Sequence, residues 1–597
     1  MSRDLKLLLA QLAQYKGRYA LGLLALAVAD GGQLYTARLV GQVIDALQAG
    51  RLDRAGVARA AGLILAAGAA VALARFGWRH MIFGSGRLIE RRLRQRLHDH
   101  LLALSPRFYL DRKVGELMAY ATNDVQAVQL AAASGMMSAL DAGIVFIGAL
   151  AMMGLTVDWG LTLAAMAPLL LLTPLTLWLG RRLHAAYGEV QAGFATLSDQ
   201  VQENMAGIRV VKGFAQEPVQ AARFARANED YRALYARMLR YDRAFDPMIG
   251  LLTGLSFAIG LAYGGTLVVE GRVSLGSYVA FNTFLAMLSW PMLAIGFMTN
   301  HFQRATASLG RLQALFDTQP EIVDAPEARA LPEPEGRLSL RGLRFRYDEA
   351  LPWVLDGVDL ELAPGQTVGI VGRTGSGKST LAGLLLRQFE PPAGQVLLDG
   401  IDLRELRLRD LRRAIAMVPQ EAFLFSTSIA ANIAFDPDSE PEDMTRVEAA
   451  ARLAGVDRDI AGFPEGYATL LGERGVTLSG GQRQRVSLAR ALLRDAPVLV
   501  LDDSLSAVDT ETEARILSAL REHTRARTTV IVSHRVSAVQ HADEILALDR
   551  GRVVERGSHA ELVAAGGFYA RLHQKQQLEL AMVAAGGEAL DPEDLAP

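Results

Sequence analysis

The stretch Thr367-Val-Gly-Ile-Val371, then Gly372-Arg373-Thr374-Gly375-Ser376-Gly377-Lys378-Ser379-Thr380, decides the fold of the C-terminal half. An apolar, strand-like run leads into G-x-x-x-x-G-K-[ST], and the leucine-rich segment Leu381 to Leu386 behind it reads as helix. Strand, glycine loop and helix in that order form a phosphate cradle. The glycines let backbone N–H groups wrap the phosphates, and the helix N-terminus adds the positive end of its dipole. In such a loop Lys378 reaches the β- and γ-phosphates and Ser379 ligates Mg²⁺.

Working outward, Val498-Leu-Val-Leu-Asp502 is a second apolar strand, and it ends in a carboxylate. A carboxylate at the carboxyl end of a parallel strand beside the phosphate loop is placed to hold Mg²⁺. Between the two motifs, Leu478-Ser479-Gly480-Gly481-Gln482 places a Ser-Gly-Gly nest at the start of a helical stretch, a further surface suited to phosphate. Strand-like and helix-like segments alternate from 337 to 572, the pattern of an α/β domain with a largely parallel sheet. Upstream, Pro320, Pro326, Pro332 and Pro334 among acidic residues read as a linker over 317–336. Downstream, 573–597 is Ala-, Gly- and acid-rich and reads as a loosely ordered acidic tail.

The N-terminal half is of another kind. Apolar runs near 18–40, 57–78, 132–156, 160–180, 248–269 and 276–299 each have the length, about 20 residues, that crosses ~30 Å of hydrocarbon as a helix. Residues 81–130 carry eight Lys/Arg and 181–245 carry ten, whereas the opposite loops 44–56, 156–160 and 270–275 carry three in all. The positive-inside rule then puts both long loops, both termini and the C-terminal half in the cytoplasm. Those loops are rich in Ala, Leu, Arg, Glu and Gln, so they read as helices that prolong the spans, with breaks at Ser105-Pro106 and Gly207. Trp290-Pro291 should kink the sixth span. The start, Met1 to Arg18, lacks a cleavage site and reads as an amphipathic helix on the cytoplasmic face. Asp30 and Asp141 fall near mid-span, where a carboxylate normally faces the bundle interior or water. Arg38 is a possible partner for Asp30, and Met136, Met287 and Met298 are candidates to line a cavity.

Composition narrows the alternatives. At 597 residues, 51% hydrophobic and a formal net charge of −2, the chain has room for several domains and no charge excess that calls for nucleic acid. It has no cysteine, which excludes disulfides, thiolate metal sites and catalytic thiols.

With these motifs in this order the chain resembles the ABC transporters, and among them the exporters that fuse six spans to one nucleotide-binding domain. The resemblance runs over 1–316 as transmembrane domain and 337–572 as ATPase with a helical signature subdomain. It implies ATP and Mg²⁺ as cofactors. Tyr347 would then stack on adenine, with Gly372, Thr374, Gly375, Ser376, Gly377, Lys378, Ser379 and Thr380 around the phosphates. Gln420, in Val-Pro-Gln, resembles the glutamine that senses Mg²⁺, alongside Ser379 and Asp502. His534 resembles the switch histidine at the γ-phosphate. Ser479, Gly480, Gly481 and Gln482 resemble the signature that completes the site of a partner chain. Gly472 to Gly475 and Ser506-Ala-Val-Asp509 resemble an exporter loop and the loop after the second strand. Gly115-Glu-Leu-Met, Thr122-Asn-Asp-Val and Ser198 to Gly213 resemble the two coupling regions.

One position departs from the pattern. After the strand-end aspartate the family carries glutamate, which polarises the attacking water, and this chain has Asp503. One methylene fewer withdraws the carboxylate by roughly 1.5 Å, while a general base works within about 2.6–3.2 Å of its water and contributes ~10²–10⁴-fold. The resemblance implies a heterodimer in which this chain's own site is slow and a second half-transporter keeps glutamate. The alternative is a tolerated swap with backbone adjustment. The expected function is outward movement of amphiphilic substrates (drugs, peptides or lipids) across a prokaryotic inner membrane, with lipid flipping or an ABC-gated channel as alternatives. A soluble ATPase acting on DNA is excluded by the six spans.

Overall fold

The computed structural model describes residues 3–435, 443–472, 475, 478–504, 510–523 and 527–584. The chain divides into two units, Met1–Leu102 with Lys113–Thr318, and Ala103–Arg112 with Gln319–Pro597.

The first unit is helical. A short helix α1 (Arg3–Ala13), which buries Leu8 and Leu12, precedes α2 (Lys16–Gln48) and α3 (Arg54–Ala103). The turn after α3 carries the short helix α4 (Pro106–Leu110), with its proline where a missing N–H costs nothing. Then follow α5 (Val114–Thr156), α6 (Trp159–Ala206), the short α7 (Ile208–Gly213), α8 (Glu217–Val269) and α9 (Leu275–Asp317). Six of these helices, α2, α3, α5, α6, α8 and α9, are long and apolar enough to cross a membrane. The breaks at Ser105-Pro106 and Gly207 fall where the sequence puts them. The break in α9 falls at Leu288, which sets Pro291 in the first turn of the next piece, where its missing N–H is harmless. Pro168 accompanies a similar break at Leu171 in α6.

Two turns of α5 widen to π geometry, Tyr120–Asp124 and Ala131–Gly135. Asp124 in the first is 6% exposed, and it accepts from Ser308 Oγ at 2.9 Å and from Arg311 Nε at 3.1 Å. Thr122 to Val125 is therefore helix wall, fixed to α9 by the pairing of the buried Asp124 with the half-exposed Arg311. The turn between α3 and α5 lies earlier, at 104–113, and most of it belongs to the second unit. There Ser105 Oγ accepts the Ile322 N–H at 3.0 Å, and Arg107 pairs with Glu321 at 3.1 Å and Asp348 at 3.6 Å.

The second unit has two sheets. Strands β1 (Leu338–Phe345), β2 (Leu355–Leu362), β4 (Val396–Leu398) and β5 (Ile401–Asp402) form an antiparallel sheet ordered β2-β1-β4-β5. Strands β3 (Thr367–Gly372), β6 (Ile415–Val418), β7 (Val498–Asp502), β8 (Thr528–Ser533), β9 (Glu544–Asp549) and β10 (Arg552–Gly557) form the second, ordered β10-β9-β3-β8-β7-β6. It is parallel except for the edge strand β10. The expectation of one largely parallel sheet thus describes the second sheet. The first, whose long strands β1 and β2 are joined only by the very short β4 and β5, is not separated from it by pattern alone.

Helix α10 (Lys378–Leu385) lies in the apolar layer between the sheets, among Leu340, Leu360, Val368, Val498 and Val530. On the opposite side, α11 (Gly480–Leu493) and α12 (Thr510–His523) join the helices Ile429–Ile433 and Met444–Leu453 in a second core against Leu499 and Leu501. The short α13 (Val536–Val539) and α14 (Phe568–Ala584) close a third cluster around the fully buried Tyr569.

Two expectations change. The proline-rich linker is fastened down from 322 onward: Leu408 N–H donates to Asp324 at 2.7 Å, Arg329 N–H to the Glu405 carbonyl at 2.7 Å, and Glu335 N–H to Asp399 at 3.0 Å. Residues 573–584, read as the start of a loose tail, continue α14, because Tyr569 and Leu572 at helical spacing bury one face of it.

Candidate active site

The parallel sheet gathers the predicted residues at the carboxyl ends of four neighbouring strands. β3 delivers the glycine loop, β8 leads to His534, β7 ends in Asp502-Asp503, and Gln420 lies just past β6. Register aligns them: Asp502 pairs with Val532, and Val371 with Ser533.

The loop is built for close approach. Gly377 has φ +101° and opens α10, and a Cβ there would sit 2.6 Å from the Val354 carbonyl oxygen. A Cβ on Gly372 would lie 2.2 Å from the Leu548 carbonyl oxygen. Only glycine fits either place. Lys378 Nζ donates to the carbonyls of Gly372 and Arg373 at 2.8 and 2.9 Å, and burial pulls its ammonium below the usual lysine range. Ser376 Oγ is buried without a hydrogen-bond partner, an unsatisfied donor inside the loop that an anionic oxygen would satisfy. Arg373, Thr374 and Gly375 form the exposed crest. Tyr347 Oη shares a 2.8 Å hydrogen bond with Thr380 Oγ1, and its ring packs edge-on to Phe389.

Ser379 Oγ donates to Asp502 Oδ1 at 3.0 Å. Asp502 is 4% exposed, and burial, reinforced by the charge of Asp503, holds its carboxyl above the usual range. A hydroxyl and a carboxylate at this separation are hard oxygen donors suited to Mg²⁺, so these residues fit the ion. Gln420 is exposed beside them at the adjacent strand end.

Asp503 has φ +46°, a left-handed backbone that aspartate tolerates better than most residues. Its two carboxylate oxygens lie 2.8 and 2.7 Å from His534 Nδ1. The aspartate side chain therefore reaches His534, with Ser533 Oγ at 3.4 Å from the same carboxylate.

Ser479 caps α11 with a reciprocal capping box. Gln482 N–H donates to Ser479 Oγ at 3.2 Å, and Ser479 N–H donates to Gln482 Oε1 at 2.9 Å. Gln482 Nε2 also donates to Asp459 at 2.9 Å. Among the described residues no hydrogen bond joins Ser479–Gln482 to the glycine loop. Of the two other expected loops, Glu473 and Arg474 in the first and Ser506–Asp509 in the second lie outside the described residues.

In the membrane unit, Asp141 Oδ2 accepts Trp290 Nε1–H at 3.0 Å. Asp30 is 3% exposed and its Oδ2 has no hydrogen-bond partner. Met298 lines a cavity of about 390 Å³ with Phe146, Thr173 and Met292. Met287 lines another of about 330 Å³ with Gln33, Thr36 and Arg75.

Sequence reading missed Glu513 and Gln576. Glu513, 2% exposed and held above the usual range by burial, receives Arg535 Nη1 at 3.2 Å. Gln576 hydrogen-bonds the backbone on both sides of Arg535. Neither belongs to a motif, and only the helical spacing Tyr569, Leu572, Gln576 signalled an inward face.

Comparison with known proteins accords with this geometry. Residues 19–292 match the family described as "ABC transporter transmembrane region" and residues 355–506 that described as "ABC transporter". The chain is 37% identical over 561 residues to the "Probable multidrug resistance ABC transporter ATP-binding/permease protein YheI" of Bacillus subtilis, covering 94% of this chain and 95% of that one. It is 37% identical over 580 residues to the "Multidrug resistance-like ATP-binding protein MdlA" of Escherichia coli (96% and 98% covered). It is 38% identical over 494 residues to an "ATP-dependent lipid A-core flippase" of Aromatoleum aromaticum (83% and 81% covered). The solved "Structure of a bacterial Atm1-family ABC exporter with ATP bound" superposes with a TM-score of 0.75 at 28% identity, over 94% of this chain and 99% of that one. The chain belongs to the ABC transporter family, as an exporter-type half-transporter that carries its multi-pass membrane region and its ATPase on one polypeptide.

Proposed function

We propose that this chain is one half of an ATP-driven pump that moves amphiphilic molecules outward across a prokaryotic inner membrane, paired with a different half-transporter that keeps glutamate at the position of Asp503. The observation that carries the asymmetry is the engagement of both Asp503 oxygens with His534 Nδ1. A carboxylate held there is a poor base for the water that attacks the γ-phosphate. The intact Ser479–Gln482 helix start supports the other half of the reading, since among the described residues it makes no hydrogen bond to this chain's own glycine loop and is available to the partner's. A second chain also accounts for the cytoplasmic ends of α6 and α8. No residue of Glu217–Arg243 is buried, and Met205, Val210 and Phe214 are 61%, 63% and 73% exposed.

In each turnover ATP bridges the glycine loop of one chain and the signature of the other. Lys378 and Ser376 hold phosphate oxygens, Ser379 and Asp502 hold Mg²⁺ with Gln420 beside it, and His534 faces the γ-phosphate. Mg²⁺ supplies charge neutralisation at the transferred phosphoryl group. Closure of the two ATPases turns the membrane cavity outward, and release resets it. The cytoplasmic placement of both termini and of the ATPase rests on the Lys/Arg surplus of 81–130 and 181–245. Lipid flipping is the second reading, favoured by the likeness to lipid A-core flippases.

Purification of the chain alone and with its co-purifying partner tests the proposal. The complex is expected to hydrolyse ATP many times faster than the chain alone, and inverted vesicles holding both are expected to accumulate an amphiphile against its gradient. A stable homodimer with equal turnover would refute the asymmetry, and ATP-gated downhill flux without accumulation would refute the pump.

A further inference from the structure

We infer that Gln576, on the helix that follows the last strand, is a positioning residue of the hydrolytic site, and that α14 is part of the ATPase machinery. Gln576 Oε1 accepts the Val536 N–H at 2.8 Å, and its Nε2 donates to the His534 carbonyl at 2.7 Å. One carboxamide thus clasps both peptide groups that flank Arg535. The Val536 amide is the first of α13, and no side chain at its N-cap, Arg535, satisfies the helix start. A four-residue helix with an open start does not hold its own N-terminus. Gln576 supplies that cap from 40 residues away.

What the clasp fixes is the plane of the His534 backbone, from which the imidazole reaches Asp503 at 2.7–2.8 Å. The rest of the loop is held from other sides: Ser533 Oγ accepts the Arg535 N–H at 3.0 Å, and Glu513 receives the Arg535 side chain. α14 itself is anchored. Tyr569 N–H donates to Glu555 at 2.8 Å, Tyr569 Oη lies 2.7 Å from His559 Nδ1, and Leu572 packs into the cluster of Val536 and Val539. Gln576 lies two turns beyond Tyr569 on the same face. Near its start the helix also sets Phe568 under the Arg373 guanidinium of the glycine loop, 5.9 Å from the ring centroid. α14 therefore touches both the phosphate loop and the switch loop. An amide serves better here than a carboxylate, because the clasp needs one donor and one acceptor in a plane.

The test rests on the pairing proposed above and uses the full-length chain in its complex, with the partner's site silenced at its own phosphate-loop lysine so that single-turnover hydrolysis reports the slow rate of this chain's site alone. Gln576→Ala is expected to lower single-turnover hydrolysis about ten-fold, the scale of a slight misplacement of a catalytic group, with ATP affinity within about two-fold. Gln576→Glu keeps the acceptor and regains a donor only when protonated, so its rate relative to wild type should rise as pH falls through the carboxyl range, while that of Gln576→Ala stays flat. Amide hydrogen exchange in a peptide spanning His534–Val536 should quicken in Gln576→Ala. Wild-type hydrolysis in both variants would overturn the inference, as would parallel loss of ATP affinity and rate, or a pH-independent ratio for Gln576→Glu.

Discussion

Asp503 concentrates the question of how this site works. Its left-handed backbone and its contact to His534 come together, since a residue bent toward the neighbouring strand end needs only a short side chain to reach the ring. On the pairing proposed above, Asp503→Asn is expected to leave most ATP turnover intact, whereas the matching change at the partner's glutamate should leave only the slow residual turnover of this chain's own site. Asp502 gives a second measurement. With Mg²⁺ held as proposed above, a proton and the ion would compete for this carboxylate, and burial and the charge of Asp503 hold its affinity for the proton high. As pH falls, the Mg²⁺ needed for nucleotide binding should begin to climb at a higher pH than for an ordinary aspartate. In Asp503→Asn the climb should start at lower pH, because the like charge is gone. In the membrane unit, neutralising Asp30 or Asp141 should weaken transport of cationic amphiphiles more than anionic ones, with expression and basal ATPase as controls. Equal losses for both charges would leave the two carboxylates a structural role, which the Trp290–Asp141 hydrogen bond already gives one of them.

At the level of elements, the sequence was most readable where a residue type has one physical use. Glycines at strand ends, the proline after Ser105 and the charge-free run through α6 each announce a cradle, a break and a span. It was least readable where long-range contacts decide. Prolines and acids over 317–336 look like linker, yet Asp324 there and Asp399, some 60 residues beyond, pin it to the ATPase through backbone amides. The tail looked loose because it is rich in Ala, Gly and acids, while Tyr569 and Leu572 hold the start of its helix in the core. Asp124 was read within a coupling region, yet it sits in a π turn facing Arg311 of α9, 187 positions away. Arg311→Ala should therefore destabilise the membrane unit by roughly 1–3 kcal/mol, the cost of leaving a buried carboxylate without its charged donor. Thermal unfolding in detergent checks this, and Asp124→Asn in the same background should recover part of the loss.

For the whole molecule, the division of the chain matters more than its length. The ten residues Ala103–Arg112 belong with the ATPase, so the polypeptide leaves the membrane unit, visits its neighbour and returns before going there for good. A fragment starting at Gln319 lacks the Ser105 acceptor of the Ile322 amide and the Arg107 partner of Glu321 and Asp348. It should unfold about 1–2 kcal/mol more easily than the ATPase within the full chain, read by denaturant titration.

The same excursion orders events at the ribosome. The first piece of the ATPase emerges early, and the 206 residues of Lys113–Thr318 must follow before the next piece appears. At bacterial-scale synthesis rates that interval lasts roughly 10–40 s. Through that time four of the six spans are made and inserted while the Ser105–Arg107 turn waits without its partners. The ATPase thus reaches its full complement of contacts only on a chain whose membrane segments have already been synthesised. A chain that stops before Gln319 therefore carries the Ser105–Arg107 turn with no ATPase to receive it, while an ATPase made without the first two spans lacks that turn.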